Sequence, residues 1–369
     1  MACIALDATY AVDPQPSGVA VYSRRLIETL AGIESRHRFL LCYRLSRFGR
    51  RKEFLRPAKP AGAQGPEFSV RYYQELLTFW LPWQASLFHS LAQRPPAFHF
   101  QKEVVTVFDI FPITGRDYST PDFQRKFSAL LREAITRARR VITLSQYTAL
   151  QLVHHLGTPL EKIKVIPGGV DLPPRLFSEA ERARERERWV GKGNELILSV
   201  GVIQTRKNTL NAARAVASLP ENYRLVLAGG NGHGSDAIHD FIRREGLSSR
   251  VTTPGYVAAE RLPALYQAAS VFLFPSFEEG FGFPVLEAMS YGVPVIAANT
   301  SSLPEAGGDA ALYVDPNDPA QMAAQVRRVV EDSSLRHQMI RSGFARVREF
   351  AWRKAGEATL NVYDDLLAR

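Results

Sequence analysis

Short apolar, β-rich runs alternate with longer stretches whose apolar positions recur every three to four residues, and the alternation is sustained along most of the chain. In the first half the short runs fall at residues 3–8, 39–43, 86–90, 104–110 and 141–144. Helical patterns lie between them at 19–31, 72–80, 122–138 and 147–155. The second half repeats the scheme, with strands predicted at 196–202, 224–228, 251–253, 271–274, 295–298 and 311–314. Its helices are predicted at 209–217, 235–245, 259–269, 284–291 and 319–332. Near-continuous apolar strands spaced by helices indicate parallel sheets covered on both faces. Two such sets predict two doubly wound α/β domains facing each other, with ligands expected at the carboxyl ends of the strands and in the cleft between the domains. The boundary is expected near Pro167-Gly168-Gly169-Val170-Asp171 and Pro173-Pro174, so that residues 1–172 form a first domain and 173–351 a second. The charge-rich stretch 179–189 reads as a solvated helix leading into the second sheet.

Length agrees with that division, because 369 residues exceed what one hydrophobic core usually organises. An apolar fraction of 46% with 22% charged residues is that of a globular protein, and no run approaches the roughly 18–20 apolar residues that span a bilayer. The start, Met1-Ala2-Cys3-Ile4-Ala5-Leu6-Asp7, reads as a core strand and lacks a signal-peptide pattern. Cys3 and Cys42 sit in apolar surroundings without metal-ligand spacing, which predicts buried thiols in a reducing, cytoplasmic compartment. The net charge of +9 is unevenly placed: residues 1–172 carry 23 Lys and Arg against 14 Asp and Glu, and the remainder is neutral. A positive half favours phosphates, an acidic lipid surface or nucleic acid, or serves solubility alone.

The strongest local signal is Phe274-Pro275-Ser276-Phe277-Glu278-Glu279-Gly280-Phe281-Gly282-Phe283-Pro284-Val285-Leu286-Glu287. An apolar strand ends at Phe274, and a loop with Gly280 and Gly282 leads to a helix opened by Pro284. Proline suits a first helical position because it has no N–H to leave unpaired, and the glycines let the backbone approach a ligand. The amides of Val285 and Leu286 are then expected to stand free at the helix start, where the helix dipole adds to them and favours a phosphate. Glu279 and Glu287, eight residues apart, flank this turn. Carboxylates on both sides of a phosphate cradle suit a ligand with hydroxyls on both sides of a phosphate, which is the form of a sugar nucleotide. The competing reading is a plain strand–loop–helix turn with one glutamate serving the helix dipole.

This stretch resembles the E-x7-E motif of the retaining GT-B glycosyltransferases of family 4, the group 1, mannosyltransferase-like enzymes. Gly292-Val293-Pro294-Val295-Ile296-Ala297, Ser301-Ser302-Leu303-Pro304-Glu305, Gly308-Asp309-Ala310-Ala311 and Gly201-Val202-Ile203-Gln204-Thr205-Arg206-Lys207-Asn208 are similar to that family too. The resemblance implies the GT-B fold, two Rossmann-like domains with residues 352–369 forming a C-terminal helix that returns to the first. It implies that Glu287 holds the donor ribose and Glu279 a hydroxyl of the transferred sugar, with Gly280, Phe281 and Gly282 beside it and Val285 and Leu286 at the phosphates. Lys207 matches the lysine of the donor diphosphate. Val202 stands where many members carry an arginine, so Arg206 is expected to supply the second charge. Ser17-Gly18-Val19-Ala20 looks like the family's glycine loop, with only Gly18 retained, and Ser17 also suits a helix N-cap. Cations around a leaving diphosphate stabilise the charge that grows as the glycosidic bond breaks. No Asp-x-Asp occurs, so no cofactor and no metal are expected.

One position departs from the family pattern. The strand over 104–110 commonly ends in His-Asp, and here Phe108 precedes Asp109. A phenyl ring neither hydrogen-bonds a hydroxyl nor relays a proton. Three readings stand: the departing phosphate takes the acceptor's proton, Asp109 or His89 substitutes, or activity is lost and a non-catalytic, sugar-nucleotide-binding scaffold remains. Tyr10, His89 and Phe108 are the acceptor-side candidates, and Asp109 joins Glu279, Lys207 and Arg206 as a catalytic candidate. The basic run Arg44, Arg47, Arg50, Arg51, Lys52, Arg56 and Lys59, with Tyr72, Tyr73, Phe79, Trp80 and Trp83, suggests peripheral contact with an anionic membrane at its inner face. A solvated loop beside an ordinary core helix is the alternative, and Pro82 interrupts any simple amphipathic anchor. Expected partners are a nucleotide-sugar donor, GDP-mannose first and UDP-sugars second, and a glycan or lipid-linked acceptor. No nucleic-acid module is recognisable.

Overall fold

The computed structural model describes residues 1–13, 17–55, 57, 66–73, 80–96, 98–115 and 117–368. Their contacts divide the chain into two compact units, one of Met1–Thr114, Pro121–Gly169 and Phe350–Arg369, the other of Gly115–Thr120 and Val170–Glu349.

The first unit is built on a parallel sheet of β1 (Cys3–Asp7), β2 (Arg38–Arg44), β3 (Phe68–Tyr73), β4 (Leu87–Ser90), β5 (Glu103–Val107), β6 (Arg140–Thr143) and β7 (Ile163–Val165). Their order is β3-β2-β1-β4-β5-β6-β7, so the winding reverses between β1 and β4. Helices α1 (Gly18–Ala31), α2 (Leu81–Gln84), α3 (Phe111–Thr114), α4 (Pro121–Arg137) and α5 (Gln146–Leu156) connect the strands. The central strands are mostly apolar because helices cover both faces: Val105, Val107 and Val141 pack with Leu131, Ile135 and Leu152, while Ala5, Leu40 and Phe88 pack with Leu81 and Phe100. Ser17 caps α1 by accepting the Ala20 amide, and Ser145 caps α5 by accepting that of Thr148 at 3.0 Å.

The C-terminal helix, Trp352–Ala368, belongs to this unit and packs on α1. The two helices approach at Gly356, where a Cβ would meet Thr29 Cγ2 at 2.7 Å and Ile33 Cδ1 at 2.8 Å. A larger residue there would push the helix off its seat.

The second unit carries β8 (Glu195–Val200), β9 (Tyr223–Ala228), β10 (Val251–Gly255), β11 (Val271–Phe274), β12 (Val295–Ala298) and β13 (Ala311–Val314), parallel and in the order β10-β9-β8-β11-β12-β13. Helices α6 (Glu179–Val190), α7 (Thr209–Ala217), α8 (Ser235–Arg244), α9 (Leu262–Ala268), α10 (Phe283–Ser290), α11 (Leu303–Gly307), α12 (Pro319–Glu331) and α13 (Ser333–Val347) complete it. Ile197, Leu225, Leu273 and Ile296 on the strands pack against Val216, Met322 and Val326 on the helices. The charge-rich α6 has no buried residue and is held at its start by a reciprocal Ser178–Glu181 capping box. The winding reverses between β8 and β11, so the open crevice of this sheet lies at the carboxyl ends of those two strands.

Several elements differ from the sequence expectation. Tyr72 and Tyr73 end β3 and do not start a helix; the rest of the helix placed at 72–80, apart from Trp80, lies outside the described residues. The strand expected to reach residue 110 stops at Val107. Both β7, three half-exposed residues, and α13, whose buried face holds only Met339, Gly343 and Val347, carry too few apolar positions to announce themselves. Cys42 is buried as expected, but Cys3 is only partly so, and both thiols are free.

Candidate functional site

At the switch point of the second unit, the loop after β8 meets the loop after β11. Phe277 donates its amide to the Arg206 carbonyl at 2.9 Å, and Asn208 Nδ2 donates to the Pro275 carbonyl at 3.0 Å and the Pro316 carbonyl at 2.7 Å. Asn208 does this from a left-handed backbone (φ 56°), which asparagine tolerates better than most residues. These bonds bring Arg206 and Lys207 onto Glu279.

Glu279 is only 7% exposed and lies between both cations, with Arg206 Nη1 3.1 Å from Oε2 and Lys207 Nζ 2.6 Å from Oε1. Burial opposes its ionisation, but the Arg206 and Lys207 charges outweigh burial and hold the carboxyl down at about 2. Lys207 Nζ also stands 4.8 Å above the Phe274 ring, and Arg206 Nη1 donates to the Glu278 carbonyl. Two cations are thus held beside one carboxylate in a nearly closed environment, and the Lys207 charge also reaches Glu287.

The main chain of Glu279 is gripped by the loop after β12. Ser301 Oγ accepts the Glu279 amide at 3.1 Å, and Ser302 Oγ donates to the Glu279 carbonyl at 2.8 Å. Thr300 Oγ1 donates to the Ser276 and Phe277 carbonyls, each at 3.2 Å. The parts of Ser301 and Ser302 have no signature in the sequence, because a hydroxyl whose partners are backbone groups more than twenty residues away leaves no local pattern.

Gly282 precedes α10 in a backbone that excludes side chains (φ 109°), and a Cβ there would lie 3.1 Å from Leu303 Cδ2. The helix begins at Phe283, one residue earlier than expected. The Val285 amide is not free, since it donates to the Gly282 carbonyl at 3.0 Å; this removes Val285 from the expected pair of free donors. Phe281 is buried and packs edge-on to Phe283 at 4.8 Å, beside Gly280 in the same loop. Leu286, also buried, faces the core with its side chain. One turn into α10, Glu287 Oε2 accepts the Tyr266 hydroxyl at 2.8 Å. Burial raises the Glu287 carboxyl, the Tyr266 hydrogen bond opposes that rise, and Asp171 adds to it.

In the first unit the acceptor-side candidates separate. Tyr10 is half-buried just past the carboxyl end of β1, at the switch point. Gly18 opens α1, and among the described residues, its chain neighbours and its own helix backbone aside, no atom lies within 4 Å of where its Cβ would be. Phe108 is buried, its ring edge-on to Tyr22 at 5.1 Å and its carbonyl accepting Thr148 Oγ1 at 3.2 Å. Gln93, unremarked in the sequence, adopts φ 58° and accepts the amides of both Phe108 and Asp109 on one side-chain oxygen. Asp109 itself is half-buried.

His89 reads from the sequence equally as a cleft-facing or a satisfied structural histidine, and it takes the structural place. It is 0% exposed, and its Nδ1 pairs with the Tyr363 hydroxyl at 2.6 Å and its Nε2 with Thr106 Oγ1 at 2.8 Å. Desolvation pulls its pKa down to about 3, so it is neutral, and it ties β4 to the C-terminal helix. Replacing His89 with alanine should leave two buried hydroxyls unpaired and lower stability by about 2–4 kcal/mol without changing the acceptor KM. Denaturant unfolding and steady-state kinetics check both parts.

The basic and aromatic run also divides. Arg47 and Arg50 pair with Asp13 at 3.3 and 2.6 Å, and Arg51 lies over the Phe48 ring. Arg44 Nε donates to the Tyr73 hydroxyl, which in turn donates to the buried Asp7. Lys52 ends the same turn, Leu45–Glu53, and Trp83 is 81% exposed. Arg56, Lys59 and Phe79 lie outside the described residues. Among the described residues no helix is long and apolar enough to cross a membrane, and no group of three or more His, Cys, Asp or Glu is placed to hold a metal ion.

Two family models match the chain, "Glycosyl transferases group 1" over residues 181–346 and "Glycosyltransferase Family 4" over residues 16–173. The O-antigen chain mannosyltransferase B of Escherichia coli is 32% identical over 269 residues, which are 71% of this chain and 70% of that one. A D-inositol 3-phosphate glycosyltransferase of Acidothermus cellulolyticus is 32% identical over 64% of this chain and 55% of its own. Among solved structures, Anabaena HepE in complex with UDP and glucose aligns with a TM-score of 0.76 at 18% identity, covering 99% of both chains. Sucrose-phosphate synthase from Thermosynechococcus elongatus aligns with a TM-score of 0.76 at 21% identity over the full length of both. At such identities these structures speak for the fold, which is GT-B.

Proposed function

Because the chain belongs to the family 4, group 1 glycosyltransferases, we propose that it transfers a hexose with retention from a nucleotide sugar, GDP-mannose first, to a glycan or lipid-linked acceptor. The observation that carries this reading is the Arg206–Glu279–Lys207 cluster at the β8/β11 switch point. Its two adjacent cations, on a loop that leads to the start of α10, suit a diphosphate. In this reading the diphosphate takes Lys207 and Arg206 as partners and releases one Glu279 oxygen to accept a hydroxyl of the sugar. Glu287 accepts from the ribose. As the glycosidic bond breaks, charge gathers on the departing phosphate oxygen, where the two preorganised cations lower the barrier without any metal. That oxygen also takes the acceptor's proton, so a phenyl ring at position 108 is no obstacle. Mannose as the sugar is supported by the likeness to the E. coli mannosyltransferase.

The buried Phe108 motivates a second reading, a sugar-nucleotide-binding protein without transfer. A thermal-shift screen with GDP-, UDP-, ADP- and dTDP-sugars, followed by assay of nucleoside diphosphate release from the stabilising donor, separates the two. Stabilisation with slow release supports the transferase; stabilisation without release under any acceptor supports the second. Stabilisation by none of them would remove both.

We further propose transient contact with an anionic membrane through the Leu45–Glu53 turn, where Arg51, Lys52 and Phe48 accompany the exposed Trp83. Flotation with anionic liposomes at physiological salt should carry the protein upward. Protein that stays at the bottom would end this part of the proposal.

A further inference from the structure

We infer that Tyr266 is a positioning residue for donor recognition: its hydroxyl fixes the Glu287 carboxylate so that the remaining oxygen meets the vicinal hydroxyls of the ribose. This rests on the donor reading above and deepens it, since it assigns selectivity for a ribonucleotide to a tyrosine outside the E-x7-E segment.

Tyr266 comes from α9 and Glu287 from α10, yet the hydroxyl reaches Oε2 at 2.8 Å. The phenol has little freedom to do otherwise. Tyr266 is 1% exposed, its ring stacks on Tyr291 at 5.3 Å with 11° between planes, and it also meets the tilted ring of Phe272 of β11 at 5.7 Å. A buried ring packed against two aromatics presents its hydroxyl at one point, and that point is the glutamate. Among the described residues no other side chain or amide donates a hydrogen bond to this carboxylate. An ionised carboxylate offers about four acceptor positions, of which the phenol takes one and leaves the Oε1 side open. A carboxylate that is partly buried and held by one donor is aimed, and that donor opposes the rise that burial imposes on it; both serve vicinal hydroxyls.

A buried tyrosine also needs some partner for its hydroxyl, and Glu287 would satisfy that need with no bearing on ligands. The two roles differ in what removal of one oxygen atom does. If Tyr266 merely satisfies itself, Tyr266→Phe changes stability and nothing about ribose. If it aims Glu287, the variant loses its preference for ribose hydroxyls while binding of the remainder of the nucleotide is kept.

The test is calorimetric titration of the full chain with GDP and with UDP, and with the 2′,3′-dideoxy analogue of each. Wild type should prefer the ribonucleotide by about tenfold or more, the scale of hydrogen bonds to a charged group. Tyr266→Phe should lower that preference to within about threefold, by weakening the ribonucleotide and sparing the dideoxy analogue. Glu287→Gln should do the same, and the double variant should lose no more than either single one, which keeps the inference testable if one variant folds poorly. An unchanged preference in Tyr266→Phe, or additive losses in the double variant, would overturn the role of Tyr266 and leave the donor site standing. A wild type that binds the ribonucleotide and its dideoxy analogue equally would overturn it too, because no ribose contact would exist to be positioned. A wild type that binds neither would overturn the donor reading itself.

Discussion

Replacing Lys207 with alanine should lower kcat/KM for the sugar nucleotide by about 10²–10³-fold, the usual cost of removing one preorganised donor from a developing oxyanion. The size follows from where the ammonium sits. Lys207 is 13% exposed, 2.6 Å from Glu279 Oε1 and 4.8 Å above the Phe274 ring. Little water is present to replace its charge, and only Arg206 would remain to balance Glu279. The site then loses one of its two adjacent cations, just where a diphosphate must enter. Arginine is not expected to restore the activity fully, because a planar fork does not occupy the volume of a compact ammonium above a ring. Steady-state kinetics with the identified donor measures the effect; a variant within threefold of wild type would contradict it.

Changing Glu279 to glutamine should act in two opposed directions on ligands and in one on stability. Losing the carboxylate frees Lys207 and Arg206 for phosphate, so a nucleoside diphosphate without sugar should bind more tightly. Turnover of the nucleotide sugar should nevertheless fall, because the group proposed to hold the sugar hydroxyl has lost its charge. Stability should drop at neutral pH by on the order of 3 kcal/mol, since two buried cations lose their shared partner. The pH dependence carries the sign of the shift. The Glu279 carboxyl lies at about 2 in the folded protein against 4.5 when unperturbed, so its contribution is fully present above pH 4.5 and is lost as the pH falls towards 2. Wild type should therefore shed on the order of 3 kcal/mol more than Glu279→Gln across that window, as denaturant unfolding at a series of pH values would show. Parallel acid limbs for the two proteins would mean that Glu279 does not titrate against Arg206 and Lys207.

How much of this was legible before the structure depends on distance along the chain. The central strands were, because a strand covered on both faces must be apolar at nearly every position, as at Val104 to Val107 or Val295 to Ala298. The edges were not: β7 is half-exposed and β3 ends in Tyr72 and Tyr73, whose aromatic bulk reads equally as helix face or strand. In the site, Glu279 and Glu287 were readable as two carboxylates around a glycine turn. Their partners were not. Arg206 reaches Glu279 only because β8 and β11 lie side by side at the reversal of the sheet order, a property of topology with no local signature. Ser301, Ser302 and Gln93 act on backbone groups of distant loops. At a strand end His89 is equally readable as facing a ligand or as structural, and the partner that decides between the two, Tyr363, lies 274 residues away.

The claim on which the rest depends is that the β8/β11 switch point of the second unit is the nucleotide-sugar site. Equilibrium binding of the stabilising sugar nucleotide to wild type, Lys207→Ala and Glu287→Ala tests it most directly. Both variants should bind at least about tenfold more weakly, the loss of a charged hydrogen-bond partner, while remaining folded. Wild-type affinity retained in both would contradict the assignment.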